Sequence, residues 1–508
     1  MYKRQTTERL VLFFLDNPVV NAVKHNANGG ANNEQSSIRR WVAQPGDDPK
    51  DPVSRSRPEI RGDLVVAQLS MVDGEVHAKD LSVRGGVKLD HTLNAGGQML
   101  PIELTGSELR LSDDSGKDIL YLGSNDGRKS QFKIGDGFFI GPLITISPSD
   151  NIVRIEGAGE FQMPRAVLPQ GLSPDESDRI QWTEPPFCKW NGEMEFNGKT
   201  AVLTDGVDIT AQLIDRETPW SIHMLGGKLK IVLLKDVKVG EMESMKAASI
   251  QQVTLLQSAR HPVIVEAVSA APDGVVESRH IIRAPRLSLM PSGGGRLIGA
   301  GPGAYHGWMH GDSLASLADN EKPDNTKKSG GLHGVHLMYH DSMQADLLNK
   351  TLAFLRGVRI GMGPVASWEE TINARNMDSI SNGQATIDCD ALQMQIKPGY
   401  ENSIMPTPWE MQAQGGVIVR TRNDNGLLET SSESVAYVSD KDLFTMRGSS
   451  NRDGVIRNTQ PNGKPGSNVR FSEIALRLKT RKIDSLKMKQ FSMGELPTTN
   501  RVRPKQTR

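Results

Sequence analysis

Apolar and polar residues alternate with a period of two along much of this chain. Glu193-Met194-Glu195-Phe196-Asn197 alternates without a break, and so does Leu392-Gln393-Met394-Gln395-Ile396-Lys397. Ile474, Leu476 and Leu478 alternate with Ala475, Arg477 and Lys479, and Val207-Asp208-Ile209 and Lys228-Leu229-Lys230-Ile231 repeat the pattern. In an extended chain successive side chains point to opposite faces, so this pattern buries one face and leaves the other in water. Turn dipeptides that tolerate positive φ punctuate the runs: Asn125-Asp126-Gly127, Asn197-Gly198, Asp205-Gly206, Asp273-Gly274, Asn425-Gly426 and Asp453-Gly454. The expectation is an all-β protein of short antiparallel strands and hairpins. Helical candidates are few. Gly240 to Arg260 reads better as strand, given Val253, Leu255 and Val263-Ile264-Val265, and Ser313 to Ala318 is one short helical stretch.

Breaks in the pattern divide the chain. Residues 1–58 read as a linker or disordered segment, rich in Asn, Gly, Asp and Pro from residue 16 onward. Residues 169–187 (Pro169, Gly171, Pro174, Pro185-Pro186) and 319–331 read as loops, and 495–508 as a basic tail. Three β units result: 59–168, 187–318 and 332–494. The chain also resembles itself. Ile144 to Gly157, Leu287 to Gly299 and Val435 to Gly448 share one plan of strand, polar turn, strand and glycine, and begin at nearly equal intervals. Pro219-Trp220 followed by Gly226-Gly227 is matched by Pro408-Trp409 followed by Gly415-Gly416. Repetition of this kind favours a stacked architecture in which each unit buries its apolar face on the next.

Composition narrows the function classes. The 508 residues carry 60 Lys plus Arg and 60 Asp plus Glu, so there is no basic excess of the kind a dedicated nucleic-acid binder shows. Only Cys188 and Cys389 are present, which excludes a disulfide framework or a Cys-x-x-Cys metal site and leaves their pairing open. The early apolar run Leu10 to Leu15 is too short for a membrane span, which needs roughly 18 residues, or for a signal peptide. The opening Met1-Tyr2-Lys3-Arg4-Gln5 resembles translated adapter sequence, so the chain is expected to be N-terminally incomplete, with any export signal out of view.

Candidate chemistry is thin. His306 and His310 lie in sequence near His333, His336 and His340, but a loop-like break separates the groups and no His-Glu-x-x-His accompanies them. They are expected to be surface or loop histidines, with no metal site and no cofactor. Gly192, five residues, then Gly198-Lys199-Thr200 misses the phosphate-loop spacing, and Gly299-Ala300-Gly301-Pro302-Gly303 misses the dinucleotide fingerprint. Arg61-Gly62-Asp63 is a chance tripeptide at the first strand. No Gly-x-Ser-x-Gly appears, and acid pairs such as Asp113-Asp114 and Glu369-Glu370 read as solvated turns. No catalytic residue is assigned. From Arg470 onward eleven Lys or Arg face three acids, which suits anionic lipid head groups or a solvated strand face and frayed tail.

The recurring plan of strand, turn, Asp-x-Leu-like strand, glycine and Val-rich strand is best seen over Trp190 to Gln212, Gln384 to Arg422 and Glu433 to Arg457. It resembles the organic-solvent-tolerance (OstA, LptA) family of lipopolysaccharide-transport proteins, most of all its large multi-copy members of planctomycete type. The likeness covers about residues 59–490; the chain departs from the family in being much longer than its bridge proteins. The resemblance implies tandem antiparallel β-jelly-roll (β-taco) repeats forming an elongated stacked sheet. It implies lipid A, lipopolysaccharide or phospholipid in an open groove, other envelope transport proteins bound through edge strands, no nucleic acid, and a periplasmic or cell-envelope location. Met194, Phe196, Val207, Ile209, Leu229, Ile231 and Leu233 are then the groove candidates, and flexible methionines would suit acyl chains. A packed core made by the same residues would instead give a structural or adhesive β-repeat protein without lipid. A carbohydrate-active β enzyme is a third reading.

Overall fold

A computed structural model describes residues 2–5, 10–11 and 59–492, less short stretches inside that span, the longest being 163–179 and 311–330. Within the segment expected to be linker, Tyr2–Gln5 pairs with Leu64–Val72 and Leu10–Val11 with Glu59–Arg61; the rest of that segment, the helical candidate at 313–318, the loop at 319–330 and the basic tail lie outside the described residues. The fold is all-β, as the alternation predicts. Every registered strand pair is antiparallel, no α-helix occurs among the described residues, and the one short helix is the 3₁₀ turn Ser439–Lys441. No helix among them is long and apolar enough to cross a membrane. The chain forms two compact units, residues 1–216 with 221–262, and residues 217–220 with 263–508.

Within each unit the organising device is a long strand bent in its middle. In the first unit Glu75–Ala95 pairs with Leu64–Val72 through residues 75–84, and with Glu59–Arg61 through residues 88–90. Between the halves Gly85 and Gly86 stand opposite Ser107 alone, and the register skips from Arg84 to Val87. In the second unit Thr351–Pro364 pairs with Ser342–Asp346 before Arg356-Gly357 and with Leu332–Tyr339 after it. Trp409–Asn423 turns the same corner at Gly415-Gly416, where its register with Gly426–Val438 skips from Gln414 to Val417. Two residues opposing one is a β-bulge, which bends the strand and sharpens its twist. The bend dipeptides share a conformation: φ is 79° and 56° at Gly85-Gly86, 60° and 81° at Asp205-Gly206, 59° and 57° at Arg356-Gly357, and 82° and 63° at Gly415-Gly416. Each bend thus joins two arms, each a ladder of hydrogen-bonded strands.

The core follows the bends. Val83, Leu109, Leu122, Ile155, Val358, Val417 and Phe471 are all 0 % exposed, and each flanks a corner. Away from the corner burial relaxes, as from Leu229 to the half-buried Ile231 and Leu233. Outer faces carry cross-strand ion pairs such as Arg84–Glu108 and Arg420–Glu429, each worth at most about 1 kcal/mol where exposed.

Three sequence expectations need correction. Asp205-Gly206 is a mid-strand bend of Thr200–Asp215 and not a hairpin turn, because positive φ serves a bulge as well as a turn. Pro185-Pro186 lies inside the strand Ile180–Trp190, at a register shift between Glu184 and Phe187. A bulge frees the ladder from needing the donors that proline lacks. The histidines at 306, 310, 333 and 336 are strand residues and not loop residues, while His340 lies in a bend between strands. The three similar segments do form hairpins, with Ile144 opposite Ile155, Leu287 opposite Gly299 and Val435 opposite Met446.

Candidate functional site

The inner face of the first unit carries the seven groove candidates. Leu229, Ile231 and Leu233 share one face of Thr218–Leu233, opposite Leu255, Val253 and Ile250. Met194 and Phe196 pair with Leu203 and Ala201 in the same arm. Val207 and Ile209 lie past the bend of Thr200–Asp215, in the other arm, where Ile209 faces Cys188. Met194, Val207, Ile209 and Leu229 are buried at 6 % exposure or less, so they pack as core; Phe196, Ile231 and Leu233 are half-buried. The row that contains Ile209 and Cys188 continues into a phenyl ladder absent from the sequence reading. Phe161 pairs with Cys188, and Phe132, Phe139 and Phe161 stack at 6.4 and 5.6 Å between centroids, all half-buried. Those residues are far apart in sequence, and only the register aligns them.

In the second unit a cavity of about 110 Å³ lies between the arms. Met362, Ala385, Ile387, Val419, Thr421, Leu428 and Thr430 line it from one arm, and Phe444, Met446 and Leu476 from the other. None of the seven groove candidates reaches it. Leu428 is 40 % exposed at its edge. At about 30 Å³ per water-sized group, the space accepts roughly four methylenes, and burying them would contribute about 3 kcal/mol.

A polar chain sits on the inner face of the same unit, nearer its start. His280 Nδ1 lies 2.8 Å from the Tyr305 hydroxyl, His280 Nε2 lies 3.0 Å from Ser278 Oγ, and Ser278 Oγ is 2.6 Å from Ser269 Oγ. Burial lowers the His280 pKa and pushes Tyr305 up to about 12, so both are neutral. His280 also stacks between Trp220 and Tyr305. Register explains the cluster, since Ala267, His280 and Gly307 stand side by side and Gly307 leaves room for the Tyr305 ring.

On the outer face His306 and His336 are cross-strand neighbours with ring centroids 4.1 Å apart. Residues 365–375 run over this face: Trp308 Nε1 donates to Glu370 O at 2.8 Å, and His336 Nδ1 lies 2.8 Å from Ile372 O. Glu370 of the acid pair is thereby structural, its carboxylate accepting the Ala366 N–H. Among the described residues no group of three or more His, Cys, Asp or Glu is placed to hold a metal ion. Cys188 and Cys389 are free, buried thiols, both raised by burial, Cys389 to about 12. The basic strand Lys482–Ser492 is partly neutralised, with Arg477–Asp484, Lys487–Glu473 and Lys489–Asp453 paired.

No family model and no curated protein matches the chain.

Proposed function

We propose that the chain is a non-catalytic cell-envelope protein that holds the acyl chains of lipid or lipopolysaccharide between the arms of an open β-jelly roll, and joins neighbours through its edge strands. The observation that carries this reading is the apolar cavity between two arms, with Ile387 and Val419 on one side, Phe444 and Met446 on the other, and exposed Leu428 at its edge. Left unfilled, a void larger than a methyl group costs about 1 kcal/mol, a cost an acyl chain lying between the arms would offset. The half-buried ladder Phe132, Phe139 and Phe161 offers a second apolar surface of the same kind. Edge pairing draws support from Lys482–Ser492, which pairs along Pro465–Arg477 and leaves Ile483 57 % and Met488 51 % exposed. Among the described residues its other edge pairs with no strand, and an unpaired strand edge recruits further strands.

A structural or adhesive role without lipid has its own support in the first unit, where Val83, Leu109, Leu122 and Ile155 pack to zero exposure. One experiment separates the two. The chain is exported to the periplasm of a Gram-negative host, purified without detergent, and extracted with organic solvent for mass spectrometry. Stoichiometric lipid A or phospholipid, lost on Ile387→Trp, supports the groove. A lipid-free extract from folded protein overturns it in favour of the structural role.

A further inference from the structure

We propose that residues 365–375 form a strap that acid releases from the outer face of the second unit, with the stacked imidazoles of His306 and His336 beneath it as the trigger. None of the strap's residues belongs to a strand, so it can lift without breaking a ladder. Its ties to the sheet are individual contacts. The Val365 N–H donates to Leu332 O at 3.0 Å, Trp308 Nε1 donates to Glu370 O at 2.8 Å, and His336 Nδ1 lies 2.8 Å from Ile372 O. The Trp368 ring meets His310 edge-on at 5.2 Å. Ile372 and Ala374 are its buried apolar side chains, and they lie over Gly361, where a β-carbon would meet Ile372 Cγ2 at 2.8 Å. A segment held by so few buried contacts opens at lower free energy than the strands it covers.

The trigger is built from facing strands. His306 and His336 stand directly opposite each other, with rings 17° from parallel and centroids 4.1 Å apart. Neutral rings stack comfortably at that distance, whereas two imidazoliums repel. The charges around them make protonation harder. Arg283 lies diagonally across from His306, since Ile281 pairs with His306 and Arg283 with Ala304. Arg375, on the strap, acts on His336. Of the acids on the neighbouring strands, Glu266 is paired to Arg279 and Asp388 to Arg359. On the strap, Glu370 accepts the Ala366 N–H and Glu369 is exposed. Burial lowers both histidines: His306 falls to about 4, helped by His336 and Arg283, and His336 falls although the Ile372 carbonyl pulls it up. Both rings are therefore neutral at pH 7. With the strap lifted, water reaches the rings and Arg375 leaves with it, so the histidines return toward their ordinary 6.5. The open form then binds protons that the closed form refuses. Opening is favoured as pH falls below 6.5, by tenfold per pH unit for each proton taken up, and the gain from His306 levels off near 4.

The test is amide hydrogen exchange of the full chain, read by mass spectrometry at pH 7 and pH 5 and expressed as protection relative to the intrinsic rate at each pH. The strap should lose at least tenfold in protection at pH 5, while Leu332–Tyr339 and Thr351–Pro364 beneath it keep theirs. The double variant His306→Gln with His336→Gln should hold strap protection level between the two pH values, and His223→Gln in the first unit should behave as the unaltered chain. Arg375→Gln changes only an exposed side chain, keeps both imidazoles and removes the charge that leaves with the strap; it should shrink the loss severalfold, and it remains informative if the double variant fails to fold by circular dichroism. Equal strap protection at both pH values in the unaltered chain overturns the proposal. So does a loss shared by the strands beneath, or one that persists undiminished in the folded double variant or in Arg375→Gln.

Discussion

The bends make the sharpest physical prediction. Gly415 and Gly416 both hold positive φ, at 82° and 63°, yet their surroundings differ. A β-carbon on Gly416 meets nothing within 4 Å, whereas one on Gly415 meets the Asp390 β-carbon at 2.6 Å. Gly416→Ala therefore isolates the conformational cost. Left-handed backbone costs an L-residue about 1–2 kcal/mol, and the stiffer unfolded chain returns about 0.4–1 kcal/mol. The net loss is roughly 1 kcal/mol. Gly415→Ala adds an overpacking cost of about 1–3 kcal/mol, for a total of roughly 2–4 kcal/mol. For a unit of about 250 residues each kcal/mol lowers Tm by about 2–4 °C, so the two variants should separate clearly in differential scanning calorimetry. Arg356 sits in the same conformation with φ 59°, so Arg356→Gly should be neutral or stabilising. A neutral Gly416→Ala, or equal effects at both glycines, would refute the claim that paired left-handed residues set the corner.

Further outcomes are expected. Neither Cys188 nor Cys389 should react with a thiol reagent at pH 8 in the native chain, and both should after denaturation, because burial raises both thiols. Tyr305→Phe should cost about 1–3 kcal/mol in urea unfolding by stranding His280 Nδ1; a cost below 0.5 kcal/mol, on the order of an ordinary surface change, would dissolve the polar chain. The His306 pKa is depressed from 6.5 to about 4, so the unfolded chain binds a proton that the folded chain refuses. Stability should then be complete above pH 6.5 and fall between 6.5 and 4. His306→Gln should flatten that acid limb, and an unchanged limb would assign it to other groups.

How much of this was legible without coordinates depends on the range of the interaction. The period of two and the three similar hairpins are local, and Ile144 to Gly157, Leu287 to Gly299 and Val435 to Gly448 form as read. The matched Gly226-Gly227 and Gly415-Gly416 pairs were visible as a repeat, but the bending role of Gly415-Gly416 was not. Positive φ serves a turn or a bulge equally, and Arg356-Gly357 shows that the corner does not demand two glycines. Lateral relations were out of reach. The Phe132, Phe139 and Phe161 ladder and the His306–His336 stack depend on which strand lies beside which, a long-range outcome that no window of sequence encodes. The cavity is similarly lateral: its lining comes from six strands, while the groove candidates came from three neighbouring runs around residues 194–233.

The bulges also bear on the groove. A strand that crosses a corner shares its hydrogen bonds between two ladders, so the arms are tied together at the bend and only there. Side chains beside the bend are locked, as Val358 and Val417 at 0 % exposure show. Those farther out gain freedom, from Val417 to half-buried Val419 and Thr421, and from buried Thr430 to exposed Leu428. Opening between the arms then costs side-chain contacts at the rim without breaking a ladder hydrogen bond. A ligand that fills the rim with methylenes restores those contacts. Ile387→Trp would fill the cavity from within and remove the ligand's advantage while leaving every corner intact, so the proposed lipid role predicts loss of bound lipid in that variant with an undiminished Tm.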